Sequence, residues 1–196
     1  MEGYRNNDEA TKEVFMYVNG KKFFRTGDLG RIVDDKFLKI TGRIKELYKL
    51  ENGKYVTPVP LEDGICRSQF VAQALVYGSD KKFNTALIVP DFVQLNGWAV
   101  KNRVVIGDLS TVDGRVNLMN HDKIINLLNA ELVAVCGPMK HYERIRRWTP
   151  ISEAFSQENN LLTPKMSLRR NQIVKQYEDV IDDMYTLNST SHEIFH

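Results

Sequence analysis

Cysteine is scarce in this chain. Cys66 and Cys136 are the only two in 196 residues, and they form no Cys-x-x-Cys pair. That spacing excludes a disulfide framework and a cysteine zinc site, and fits a reducing compartment. The four histidines, His121, His141, His192 and His196, are scattered and make no His-Glu-x-x-His pattern. No stretch reaches the roughly 18 apolar residues that a membrane helix needs. The N-terminus carries Arg5, Asp8 and Glu9 where a secretory signal would have an apolar core. The C-terminal Ser191–His196 matches no retention or lipidation signal. Charge of one sign is also missing: the net charge is +2, too small to imply nucleic acid as a partner. What remains is 42% hydrophobic and 27% charged, ordinary for a globular protein of one or two domains in the cytoplasm.

The pattern of residues predicts an α+β chain. A helix is expected over Asp8–Tyr17, capped by Asn7 or Asp8, with Val14, Phe15 and Val18 on its apolar side. Gly20-Lys21-Lys22 reads as a turn, and Phe23-Phe24 begins a short strand ending at Thr26-Gly27-Asp28. Asp34-Asp35-Lys36 separates two strands of a hairpin, the second of which, Phe37–Ile40, alternates as a half-buried strand should. Two short strands around Asn52-Gly53 follow, since Asn-Gly is a strong two-residue hairpin signal. Pro58 and Pro60 open a helix to Cys66. Phe70–Tyr77 and Asn84–Val89 read as an antiparallel strand pair, Phe92–Lys101 as a helix and Val104–Asn120 as a connection. Ile124, Leu127, Leu128, Leu132 and Val135 form a helical stripe that Gly137-Pro138 ends. Arg144–Ile151 is an extended segment and Ser156–Pro164 a polar loop. The final helix is marked by Val174, Tyr177, Val180, Ile181, Met184 and Tyr185. Trp98 and Trp148 read as packing residues, while Lys81-Lys82 and Arg144, Arg146 and Arg147 read as solvated basic clusters.

The stretch Phe24–Glu62 is the most distinctive. It holds Arg25-Thr26-Gly27-Asp28, then Gly42-Arg43-Ile44-Lys45-Glu46, then Lys49-Leu50-Glu51-Asn52-Gly53-Lys54-Tyr55-Val56. Taken singly, Thr-Gly-Asp is a polar turn, Arg43 a strand-end charge, Lys45 a solvated lysine beside Glu46, and Asn52-Gly53 a plain hairpin turn. In this order and spacing the three clusters resemble the adenylate-forming enzymes, which activate carboxylic acids with ATP. The third cluster is most similar to the long-chain fatty acyl-CoA synthetases. The resemblance covers nearly the whole chain, and Met1-Glu2-Gly3-Tyr4 through Thr11 resembles an internal stretch of that family. The Ser/Thr/Gly-rich phosphate loop of the family's large domain has no counterpart here.

The resemblance implies a chain whose residues 1–43 end a large β-rich domain and whose residues 44–196 form the small C-terminal domain, a short antiparallel sheet with packed helices. It implies that Asp28 accepts the ribose hydroxyls of ATP, with Thr26 and Gly27 shaping the turn, and that Arg43 helps hold the nucleotide. Lys45 falls at the hinge, where many members carry Asp. Gly53 and Lys54 fall on the loop that lines the CoA side. Glu62 takes a structural place at a helix start. Where long-chain members place the lysine that neutralises charge during adenylation, this chain has Ser167 in Leu162-Thr163-Pro164-Lys165-Met166-Ser167-Leu168-Arg169-Arg170. Lys165, two residues earlier, is the candidate cation, against a solvated loop lysine; Ser167 reads as a helix N-cap.

The implied function is fatty acid–CoA ligation in two steps, acyl-AMP formation and transfer to CoA, with ATP, Mg²⁺ and CoA as cofactors. The fatty acid would bind through a separate N-terminal domain, and peripheral membrane association of the parent enzyme fits such a substrate. The chain alone is expected to be inactive. Two other readings fit the same residues: a non-catalytic module that docks on a separate synthetase through Phe23, Phe24, Phe37 and Ile40, and part of a carrier-protein acyl ligase.

Overall fold

Asn19 and Gly20 both adopt left-handed backbone, with φ of 49° and 75°. That geometry closes a tight hairpin, and it reshapes the first part of the chain. Helix α1 stops at Val14 (Asp8–Val14), and Phe15–Val18 becomes strand β1, paired antiparallel with β2 (Lys21–Phe24). The helix expected to reach Tyr17 is therefore three residues too long, because the turn recruits Phe15–Val18 into a hairpin. The Asn7 side chain caps α1 by accepting from the Ala10 N–H at 3.0 Å.

The computed structural model describes residues 1–186 and 189–194, in two compact units, Met1–Leu47 and Tyr48–His196. In the first unit a second hairpin joins β3 (Asp28–Val33) to β4 (Phe37–Arg43), turning at Asp34 and Asp35, both with positive φ. No residue of Met1–Leu47 is buried. Phe23, Phe24, Phe37, Leu38 and Ile40 all stand exposed.

The second unit begins with β5 (Tyr48–Lys49) and β6 (Tyr55–Val56). Their loop has three residues rather than two. Leu50 N–H bonds to Lys54 O, Gly53 N–H bonds to Leu50 O, and Gly53 alone is left-handed, at φ 83°. This is a type I turn with a glycine bulge, so Asn52 has no need of positive φ. Helix α2 (Pro58–Ile65) leads into β7 (Val71–Tyr77), which pairs antiparallel with β8 (Asn84–Pro90).

β8 then pairs in parallel with β9 (Ile145–Pro150), and β10 (His192–Glu193) adds antiparallel to β9, giving the order β10-β9-β8-β7. A parallel pair needs a long crossover. It is supplied by α3 (Phe92–Lys101), α4 (Val112–Met119) and α5 (Asp122–Cys136). The α+β class holds, and the main sheet is mixed.

Helix α4 lies where the sequence suggested only a connection. It has little apolar periodicity, and its start is set by the Thr111 hydroxyl, which accepts from Gly114 N–H at 3.0 Å. Glycine is required at 114 by close approach: a Cβ there would meet Asp108 O at 1.9 Å. The last helix is two: α6 (Arg170–Gln176) and α7 (Glu178–Asp183), broken at Tyr177 with φ −110° and ψ 25°. Ser167 does not cap α6; Arg169 occupies that position and its side chain makes no cap bond.

The sheet is covered on both sides. Ala74, Val76, Ala86, Ile88 and Trp148 pack with α2, α3, α4 and α5 in one core; Leu75, Leu87, Val89 and Ile151 pack with α6 and α7 in the other. This explains why β8 reads as an unbroken apolar run rather than an alternation. The α5 stripe Ile124, Leu128, Leu132 and Cys136 is buried at helical spacing, and each aliphatic side chain so buried contributes about 1.5–3 kcal/mol. Asp91 caps α3 through the Val93 and Gln94 N–H groups, both at 3.0 Å. Among the described residues no helix is long and apolar enough to cross a membrane.

His192, on β10, packs against Trp148 with ring centroids 4.8 Å apart and the ring planes tilted by 47°. Burial holds its imidazole below the ordinary histidine value. A depressed folded value favours the neutral ring, so this contribution is complete above the usual pKa of about 6.5 and declines as pH falls through the lower folded value. The melting temperature should therefore fall on acidification below about pH 6.5, and His192→Phe should flatten that part of the profile. An unaltered slope in the variant would assign the pH dependence elsewhere.

Candidate functional site

In the first unit, the register of β3 and β4 sets Asp28 opposite Arg43. Arg43 Nε lies 3.3 Å from Asp28 Oδ1, with the two side chains 70% and 30% exposed. An ion pair this exposed contributes little stability, about 0–1 kcal/mol. Its consequence is placement: a carboxylate and a guanidinium presented side by side at a strand end. Gly27, at φ 77° with open space around its α-carbon, makes the preceding turn, and Thr26 Oγ1 accepts from Asp28 N–H at 3.0 Å. Ile44 N–H closes the turn onto Gly27 O at 2.9 Å. Thr26, Gly27, Asp28 and Arg43 are thus gathered into one feature. Lys45 is exposed in a short 3-10 turn, Ile44–Glu46, just before the unit ends at Leu47.

In the second unit, Gly53 and Lys54 sit on the β5–β6 loop. Asn52 Oδ1 accepts from Lys54 N–H at 3.0 Å. The Lys54 ammonium stands 5.9 Å from the Tyr142 ring centroid, and Lys140 approaches the same ring at 5.5 Å. No local pattern signals this convergence, since Lys54 and Tyr142 are far apart in the chain. Tyr48, at the root of the loop, donates to Asn84 Oδ1 at 2.7 Å, and Asn84 donates to Tyr142 O at 2.9 Å. Burial is the main cause that holds the Tyr48 phenol far above its ordinary range.

Lys165 lies at the tip of a small hairpin. Leu162 and Leu168 pair across its base, Thr163 N–H bonds to Ser167 O at 2.8 Å, and Met166 N–H returns to Thr163 O at 2.8 Å. Met166 supplies the left-handed residue, at φ 60°. Lys165 is exposed at the apex, whereas Ser167 lies on the returning leg, its N–H bonded to Thr163 Oγ1.

Glu62 is more than a helix-start acid. It is 6% exposed, its Oε1 accepts from Val76 N–H at 2.7 Å, and it receives both arms of the Arg170 guanidinium, one at 2.8 Å. The basic clusters read as solvated are in part structural. Lys81 pairs with Asp182 at 2.7 Å, Arg144 donates to Met139 O and Gly137 O, and Arg147 donates to Met184 O and Thr186 O. Of the histidines, His121 caps α5 and His192 packs against Trp148, while His196 lies outside the described residues. Among the described residues no group of three or more His, Cys, Asp or Glu could hold a metal ion.

The family model described as the AMP-binding enzyme C-terminal domain matches residues 46–104 and 100–189, and the chain belongs to that family. A long-chain-fatty-acid–CoA ligase of Mycobacterium tuberculosis is 33% identical over 187 residues, covering 93% of this chain and 29% of that protein. Human long-chain-fatty-acid–CoA ligase 1 is 30% identical over 189 residues, covering 94% of this chain and 26% of that protein. The chain therefore spans less than a third of the length of these relatives. The adenylation domain of a carboxylate reductase from Mycobacterium chelonae superposes with a TM-score of 0.71 at 25% identity, over 93% of this chain and 26% of that one. A carboxylic acid reductase domain from Segniliparus rugosus, solved with AMP and a carboxylic acid, shares the fold at a TM-score of 0.70 and 22% identity, over 93% of this chain and 26% of that one.

Proposed function

We propose that this chain is the C-terminal part of a long-chain fatty acid–CoA ligase that forms acyl-AMP from a fatty acid and ATP and transfers the acyl group to CoA. The observation that carries the reading is the Asp28–Arg43 pair on its glycine turn, in a chain of the AMP-binding family. The names of the long-chain ligase relatives support the substrate class.

In this reading Asp28 accepts the two ribose hydroxyls, since a carboxylate is acceptor-only and can receive both. Arg43 orients that carboxylate and adds a fixed positive charge beside the nucleotide. Lys45 serves as the hinge residue. Gly53 lets the β5–β6 loop backbone approach CoA closely, and Lys54 adds charge there. Lys165, at the hairpin apex, neutralises charge developing between carboxylate and α-phosphate. Mg²⁺ would accompany ATP and shield the triphosphate charge. The acyl pocket lies outside these residues, and the chain alone is expected to turn over no palmitate.

The test is palmitate-dependent ATP–pyrophosphate exchange by the native polypeptide that carries these residues. Asp28→Ala removes two charge-assisted hydrogen bonds in a solvated setting. It should raise KM for ATP by about ten- to a hundredfold. An unchanged KM would remove the ribose role.

A further inference from the structure

The hairpin that carries Lys165 is anchored at its base, and beside its apex Gln157 Nε2 donates to Met166 Sδ at 3.3 Å. Leu161 and Leu162 are buried, Arg169 N–H bonds to Leu161 O at 2.8 Å, and Arg169 Nε donates to Leu162 O at 3.2 Å. Immediately beyond, Arg170 opens α6 and places its guanidinium on Glu62 of α2 through two parallel contacts. Glu62 is itself fixed to the main sheet by Val76 N–H. A continuous set of bonds thus runs from β7 through Glu62 and Arg170 to the foot of the hairpin.

We propose that Glu62 and Arg170 are positioning residues for the Lys165 cation in the carboxylate-activating step; this rests on the function proposed above. A two-pronged guanidinium–carboxylate contact fixes orientation as well as distance. A buried ion pair is a poor source of net stability compared with apolar packing of the same volume, so its distinctive effect here is geometric. Helix α6 has no side-chain cap to set its start. The Glu62–Arg170 contact sets it instead, and Lys165 is only five positions before Arg170 in the chain.

The experiment uses the native polypeptide and two readouts: palmitate-dependent pyrophosphate exchange, and thioester formation from supplied palmitoyl-adenylate and CoA. Lys165→Ala should lower the exchange kcat about a hundredfold. Glu62→Gln/Arg170→Met, which removes both charges together, should lower exchange about tenfold more than it lowers thioester formation, as expected for a misplaced group. Combined with Lys165→Ala, the pair change should add about twofold or less, because its effect passes through Lys165. Should circular dichroism show that the paired variant does not fold, Arg170→Lys takes its place in the same cycle, since lysine keeps the charge and loses the fork. Additive losses, or an equal fall in both readouts, overturn the inference alone. Full exchange by Lys165→Ala overturns both it and the role of Lys165. A longer wild-type polypeptide that carries these residues together with a large N-terminal domain, and that shows no exchange, overturns the functional reading and the inference with it.

Discussion

Arg170→Met is expected to destabilise the Tyr48–His196 unit by about 3–5 kcal/mol, the usual cost of removing one member of a buried ion pair. The side chains of Arg170 and Glu62 are 19% and 8% exposed, so water screens the contact little. The substitution leaves the Glu62 carboxylate inside the protein without the guanidinium that balances it. Glu62→Gln/Arg170→Met should lose much less, because a neutral amide needs no counter-charge and its oxygen can still accept from Val76 N–H. Urea unfolding followed by tryptophan fluorescence reports both, since Trp98 and Trp148 lie in this unit. A loss below about 1 kcal/mol in the single variant would put the pair in the class of surface contacts.

Trp148→Ala should cost a comparable amount, about 3–5 kcal/mol. The indole is fully buried in the core beneath α5, and its Nε1–H donates to Asn129 Oδ1 at 2.6 Å. Truncation removes the packing and also the partner of that amide oxygen. Trp148→Phe helps to separate the two effects: it loses the hydrogen bond but keeps a ring and leaves a smaller void than alanine, for about 1–3 kcal/mol. Asn129→Leu in the Trp148→Phe background should recover part of that loss. If Trp148→Phe proved as costly as Trp148→Ala, packing volume would not be the larger share.

The sequence made the strongly marked elements readable. Phe92–Lys101 is bounded by Pro90-Asp91, whose aspartate is the observed cap, and α5 is announced by its apolar stripe and closed by Gly137-Pro138. Other features depend on long-range partners or on turn chemistry that local pattern underweights. Phe15–Val18 continues the helical apolar side of α1, and only the Asn19-Gly20 turn, which pairs it with Lys21–Phe24, makes it a strand. The periodicity of α6 and α7 runs through Tyr177, where the backbone leaves the helix. At the candidate site, the motifs named Asp28 and Arg43 separately, and the β3–β4 register brings them together. Glu62 and Arg170 are 108 residues apart, and no spacing rule joins them.

The bond from Val76 N–H to Glu62 has one more consequence. β7 is the outer strand of the main sheet, and an outer strand with open N–H groups invites another chain to add itself there. At Val76 that donor is already taken by a carboxylate from the neighbouring helix. The same side chain that seats Arg170 therefore also occupies one of the donors through which another strand could add to that edge.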